Sequence, residues 1–81
     1  MHYVYMLKSI THPNQTYIGC TSNLRQRLSS HNSGKSSHTL KYKPWQLQNY
    51  FAFSDKIQAF NFEKYLKSHS GKAFSKKHFC D

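Results

Sequence analysis

Two runs rich in aromatic and β-branched residues, 2–9 and 15–21, flank Thr11-His12-Pro13-Asn14, and this arrangement limits the fold more than anything else in the chain. Pro13 presets a turn dihedral and Asn14 turns readily, so the two runs read as the arms of a β-hairpin. With a side-chain period of two, Tyr3, Tyr5 and Leu7 share one face of the first arm, while Tyr17 and Gly19 share one face of the second. Both phenols can then face the same side. Each tyrosine taken singly reads equally as an ordinary amphipathic strand residue. Gly19 inside a strand costs packing, so it marks a place where a ligand or backbone approaches closely.

Downstream, Ser22 can cap a helix over about 23–31, which Asn32-Ser33-Gly34 ends. A polar, basic stretch to Pro44 reads as a loop, and 45–53 as a third strand. Ser54 or Asp55 can cap a second helix that runs to about Ser68 and stops before Gly71, and a last short helix covers about 72–79. The order β-β-α-β-α-α implies an α+β fold, a small, mostly antiparallel three-stranded sheet with helices packed on it. Eighty-one residues that are 37% hydrophobic provide one modest core, so a single domain over 1–81 is expected.

Lys and Arg total 12 against three acids, a formal charge of +9, and the basic residues run from Lys8 to Lys77. A folded domain this cationic usually meets a polyanion, because phosphate backbones reward such charge through counterion release. Arg25, Lys35, Lys41, Lys67 and Lys72 are the side chains expected to hold nucleic-acid phosphates. An acidic membrane surface is disfavoured, since no basic amphipathic helix with a clean apolar face and no lipidation motif is found. No signal-peptide pattern or membrane-length apolar stretch occurs, so a cytoplasmic location is expected. Cys20 and Cys80 have no Cys-x-x-Cys partner, which argues against a zinc ribbon and a structural disulfide, and Cys20 reads as a small half-buried strand residue. Nothing calls for an obligate protein partner.

Three residues sit where packing alone would not put them. Leu24, Arg27, Leu28 and His31 fall at i, i+3, i+4 and i+7, so Arg27 and His31 share the stripe that faces the sheet while Arg25 points elsewhere. Arg27 could simply snorkel at the edge of that stripe, and His31 could be a satisfied histidine near the helix C-terminus. Glu63, the only Glu, follows Ala59 and Phe60 by one turn and precedes Leu66 by nearly one. It can pair with Lys67 at i+4. A half-buried acid in so basic a protein is also suited to hold a cation, and one carboxylate with waters and a substrate phosphate suits Mg²⁺.

Together these residues resemble the GIY-YIG nucleases. Tyr3-Val4-Tyr5 is similar to the first motif and Tyr17-Ile18-Gly19 matches the second; Arg27 follows Tyr17 by ten residues, as the family's arginine does. His31 comes one turn later, Glu63 takes the place of the metal-binding glutamate, and the likeness extends to Gly71-Lys72-Ala73-Phe74. The small stand-alone bacterial members are the most similar branch. Three departures stand out: Tyr3 replaces a glycine, Cys20 stands where some relatives have lysine, and no Asn follows Asn61.

The resemblance implies a metal-dependent endonuclease, with DNA the expected substrate ahead of RNA. Glu63 would hold one Mg²⁺ or Mn²⁺, Arg27 would pair with the scissile phosphate, and Tyr17 or Tyr5 would activate water. His31 would be a reserve base or phosphate ligand, and Gly19 a structural residue at the site. The products would carry a 5′-phosphate and a 3′-hydroxyl. A non-catalytic DNA- or RNA-binding module is the main rival. A basic ribosomal protein would explain the charge but not Glu63.

Overall fold

A computed structural model describes residues 1–78. The strands are β1 (His2–Ser9), β2 (Thr16–Thr21) and β3 (Trp45–Phe53). The helices are α1 (Leu24–Asn32), α2 (Lys56–Lys67) and α3 (His69–His78), and a 3₁₀ turn spans Leu40–Tyr42 in the loop before β3. All pairing is antiparallel in the order β2-β1-β3, which gives the expected α+β architecture and element order. In β1–β2, Tyr5 stands opposite Gly19 and Leu7 opposite Tyr17, so both phenols do emerge on one face. An irregularity at Met6/Leu7 shifts the β1–β3 register, and Leu7 there meets Leu47 and Ser9 meets Trp45.

The alternation along β1 divides the core between the two faces of the sheet. Tyr5 and Leu7 pack with Trp45 and, from α1, Leu24 and Leu28. Val4 packs on the other face with Ala59 and Leu66 of α2, joined by Ile18, Cys20, Phe53 and Phe62. Full burial of a side chain such as Leu66 stabilises the fold by about 1.5–3 kcal/mol. The inward stripe of α2 is Ala59, Phe62 and Leu66, whereas Phe60 is exposed. Phe62 meets Phe51 and Phe53 edge-on or tilted, at 4.9 and 5.5 Å between centroids.

The helix ends differ from the sequence reading in informative ways. Asn23, not Ser22, caps α1: its Oδ1 accepts from Gln26 N at 3.1 Å, while Thr21 Oγ1 accepts from Asn23 N and holds the capping residue extended. Asp55 caps α2 by accepting from Ile57 N. The helix expected from 72 begins at His69, because Ser68 serves two helices. Its N–H and hydroxyl both donate to Tyr65 O at the end of α2, and its Oγ accepts from Gly71 N in the first turn of α3. Gly71 is thus no terminator. It lies inside α3, buried against the Tyr65 carbonyl and Leu66 backbone. The expected helix end at Phe79, and Cys80, lie outside the described residues.

A Cβ at Gly71 would run into main-chain atoms that cannot rotate aside. Gly71→Ala is therefore expected to destabilise the protein by at least the ~1–3 kcal/mol typical of overpacking. Urea or thermal denaturation of the two proteins checks this, with a shift of under 0.5 kcal/mol (about the surface-substitution range) counting against the tight α2–α3 junction.

Candidate active site

Two tethers fix α1 over the sheet and so place its polar side chains. Asn32, its last residue, brackets the main chain of Trp45: Oδ1 accepts from Trp45 N at 2.5 Å and Nδ2 donates to Trp45 O at 3.0 Å. The Trp45 indole donates to Thr39 O at 2.9 Å, drawing the following loop under the helix. His31, the residue before Asn32, is wholly buried and reaches Tyr5 Oη with Nε2 at 2.9 Å and Thr39 Oγ1 with Nδ1 at 2.7 Å.

Tyr5, 1% exposed, is therefore held from two sides, because Arg27 Nε also donates to its hydroxyl at 3.4 Å. The Tyr17 ring lies 6.3 Å from Tyr5 and 5.0 Å from His31 between centroids, and its hydroxyl interacts with Arg27 as well. Burial raises the Tyr5 pKa above the ordinary phenol value; the Arg27 hydrogen bond opposes that rise, and the charges of Tyr17 and Glu63 add to it. The bond to Tyr5 raises the Arg27 pKa further. Burial, then the neighbouring Arg27, lowers the His31 pKa, so this imidazole is neutral and one ring nitrogen is free to accept a proton.

Gly19 explains how the phenol fits. A Cβ there would collide with the hydroxyl end of the Tyr5 ring, so the missing side chain leaves the space that the ring fills. Glu63 arrives from α2, on the opposite face of the sheet, and its charge reaches Tyr5 and Cys20 across the edge strand β2. The structure thus gathers Tyr5, Tyr17, Arg27 and His31 on one face and brings Glu63 toward them around an edge. Its side chain is 14% exposed and pairs with Lys67 Nζ at 3.1 Å. An i, i+4 helix pair of this kind, with Lys67 exposed and Glu63 half-buried, contributes about 0.3–0.5 kcal/mol.

Among the described residues no three His, Cys, Asp or Glu side chains gather into a ligand group. Glu63 would be a single protein donor, which fits a Mg²⁺-type ion completed by waters and phosphate. The expected basic residues disperse. Arg25 lines a groove beside Tyr3 and Tyr50, Lys35 and Lys41 belong to the loop before β3, and Lys67 and Lys72 line a cleft beside α3. Sequence reasoning missed Thr39, the partner of His31, because nothing in a polar loop reveals which hydroxyl turns inward. It also missed Lys8 and Lys76, which share the cleft with Lys67 and Lys72. No helix among the described residues is long and apolar enough to cross a membrane.

A family model described as the GIY-YIG catalytic domain matches residues 1–78. The chain is 36% identical over 70 residues to UPF0213 protein SH2523 of Staphylococcus haemolyticus, a match that covers 85% of this chain and 83% of that protein. It is 34% identical over 73 residues to the Structure-specific endonuclease subunit SLX1 of Malassezia globosa, covering 84% of this chain but 16% of the fungal protein. The solution NMR structure of UPF0213 protein BH0048 from Bacillus halodurans is similar at TM-score 0.55 and 30% identity, over 94% of this chain and 82% of that one.

His31 links the site to stability. Its folded pKa lies below the unfolded value of about 6.5, so the unfolded chain binds the extra proton first and stability falls as pH drops below that value. His31→Gln should cost stability at pH 8, and its deficit against wild type should narrow as pH falls from about 6.5 toward the lowered folded pKa. Urea midpoints of both proteins across that range provide the check; a gap that stays constant would mean that His31 does not titrate as its burial requires.

Proposed function

This chain belongs to the GIY-YIG family of nuclease domains, and from that premise we propose that it is a divalent-metal-dependent endonuclease hydrolysing phosphodiester bonds in DNA. The observation that carries the reading is the Tyr5 hydroxyl, held between the Arg27 guanidinium and the neutral His31 imidazole. Packing alone requires no such chain of polar groups. Buried polar atoms are costly unless they pair, and a phenol that only filled the core could be phenylalanine.

Burial works against a free tyrosinate, so the phenol acts by relay. In the tautomer with the proton on Nδ1, His31 donates to Thr39 and presents a bare Nε2 to Tyr5. Tyr5 takes a proton from the attacking water while passing its own to His31, and the water oxygen bonds to phosphorus as the P–O3′ bond breaks. The leaving oxygen takes its proton from solvent, which gives a 5′-phosphate and a 3′-hydroxyl. Tyr17 is the less suitable base: both hydroxyls meet Arg27, which cannot accept a proton, but it is Tyr5 that also reaches His31 Nε2. Tyr17 orients the water or the phosphate instead.

Arg27 is positioned to pair with the scissile phosphate. Glu63 would hold a Mg²⁺ or Mn²⁺ ion, exchanging Lys67 for it; when bound, the ion supplies charge that stabilises the leaving oxygen. The Glu63–Lys67 pair is also what a non-catalytic DNA- or RNA-binding module would keep, with Lys67 as the permanent partner of the carboxylate.

Glu63→Gln preserves shape and removes the charge, so folding and DNA binding should survive while metal-dependent cleavage drops below detection. Arg27→Ala should lose cleavage and some affinity together, since Arg27 meets phosphate in both ground and transition states. Cleavage and affinity measured on labelled single-stranded, duplex and branched substrates, with and without Mg²⁺ or Mn²⁺, test both variants. Full activity in the Gln variant sinks the metal role of Glu63, and a wild type inert on every substrate with either ion favours the binding module.

A further inference from the structure

On the face of the sheet away from α1, a cleft of about 870 Å³ opens between the β-hairpin and α3. Lys8, Lys67, Lys72 and Lys76 all line it, and among the described residues no Asp or Glu does. The four come from three elements: Lys8 is half-buried on the central strand, Lys67 ends α2, and Lys72 and Lys76 stand one turn apart on α3. Lys67 is offset by its pair with Glu63, but the ammonium groups of Lys8, Lys72 and Lys76 around the same concavity repel one another and weaken the fold, so stability does not explain the arrangement. An anion in the cleft does.

A second observation points the same way. Ser75, between Lys72 and Lys76 in the chain and on the cleft wall, is 4% exposed, and its hydroxyl has no hydrogen-bond partner among the described residues. Native interiors rarely leave such a group unsatisfied, and those that remain commonly await a ligand, ion or water. Tyr17 also lines this cleft while its ring packs on His31 in the candidate active site, and Lys67 bridges the cleft to Glu63. The cleft and the site therefore meet across the edge strand β2.

We propose that this lysine-lined cleft binds the sugar–phosphate backbone of the substrate DNA strand on one side of the scissile bond. The inference builds on the nuclease reading by giving the strand a path: around β2, from Arg27 and Tyr17 on one face to Lys72 and Lys76 on the other. Recognition there is by charge and does not depend on base sequence.

The test measures affinity for a fluorescent single-stranded DNA oligonucleotide against NaCl concentration in metal-free buffer. Wild type is compared with Lys72→Gln/Lys76→Gln and with Lys64→Gln/Lys77→Gln, a pair that removes the same charge from side chains outside the cleft. At a slope of about 0.7 per phosphate contact, the cleft pair should flatten the log–log salt dependence by about 1.4 and the control pair should hardly change it. Lys72→Arg/Lys76→Arg should restore the slope. An unchanged slope in the cleft pair, or equal flattening in both pairs, overturns the proposal. Because the binding arm contains no metal, a protein that never cleaves yet shows the cleft-dependent slope refutes the nuclease reading alone, and one that cleaves without it refutes the cleft alone.

Discussion

The close approach of the Tyr5 phenol to the bare backbone of Gly19 is the constraint on which the rest of the site depends. The two residues are register partners on neighbouring strands, so their separation is set by the sheet and cannot relax. With no Cβ at position 19, the ring lies where its hydroxyl meets His31 and Arg27, both carried by α1. A side chain there would push the ring toward α1 and break those bonds or lift the helix. Sheet register, helix docking and the polar chain are thus one geometrical problem with one small solution.

Its electrostatics follow from the same crowding. Burying a phenol and an imidazole side by side disfavours the charged form of each, so Tyr5 holds its proton and His31 stays without one. Arg27, at the solvent edge, supplies a positive charge that bears on both, easing ionisation of the first and hindering protonation of the second. The pair is poised for proton movement between neutral partners, which a low-dielectric pocket permits more readily than the creation of isolated ions.

Much of this was readable in the chain. The hairpin follows from alternation and turn chemistry, and a period of two is enough to bring Tyr5, Tyr17 and Gly19 to one face. A period of 3.6 likewise aligns Arg27 and His31. What local pattern cannot supply is the side of the sheet from which a distant helix approaches. Helical spacing marks Glu63 as half-buried but does not say on which face: α2 covers the face opposite the tyrosines, and the narrowness of a three-stranded sheet lets its charge reach them. The cap at Asn23 and the junction at Ser68 were missed because adjacent Ser, Asn and Gly residues have similar local signals, and tertiary contacts choose among them. Thr39 was hidden because its inward turn depends on the Trp45 indole six residues later.

The doubly bonded Ser68 has a further consequence for how this chain can vary. With one residue serving as the stop of α2 and the cap of α3, no slack exists between the helices, and their rotational phase is fixed by residue count. Adding or deleting a single residue in the first turn of α3 would rotate everything beyond it by about 100° around the helix axis. Lys72, Ser75 and Lys76 would swing off the cleft wall together, while the sheet and α1 stayed as they are. The junction is therefore a length standard: this part of the chain can tolerate changes of residue type far more easily than changes of residue number.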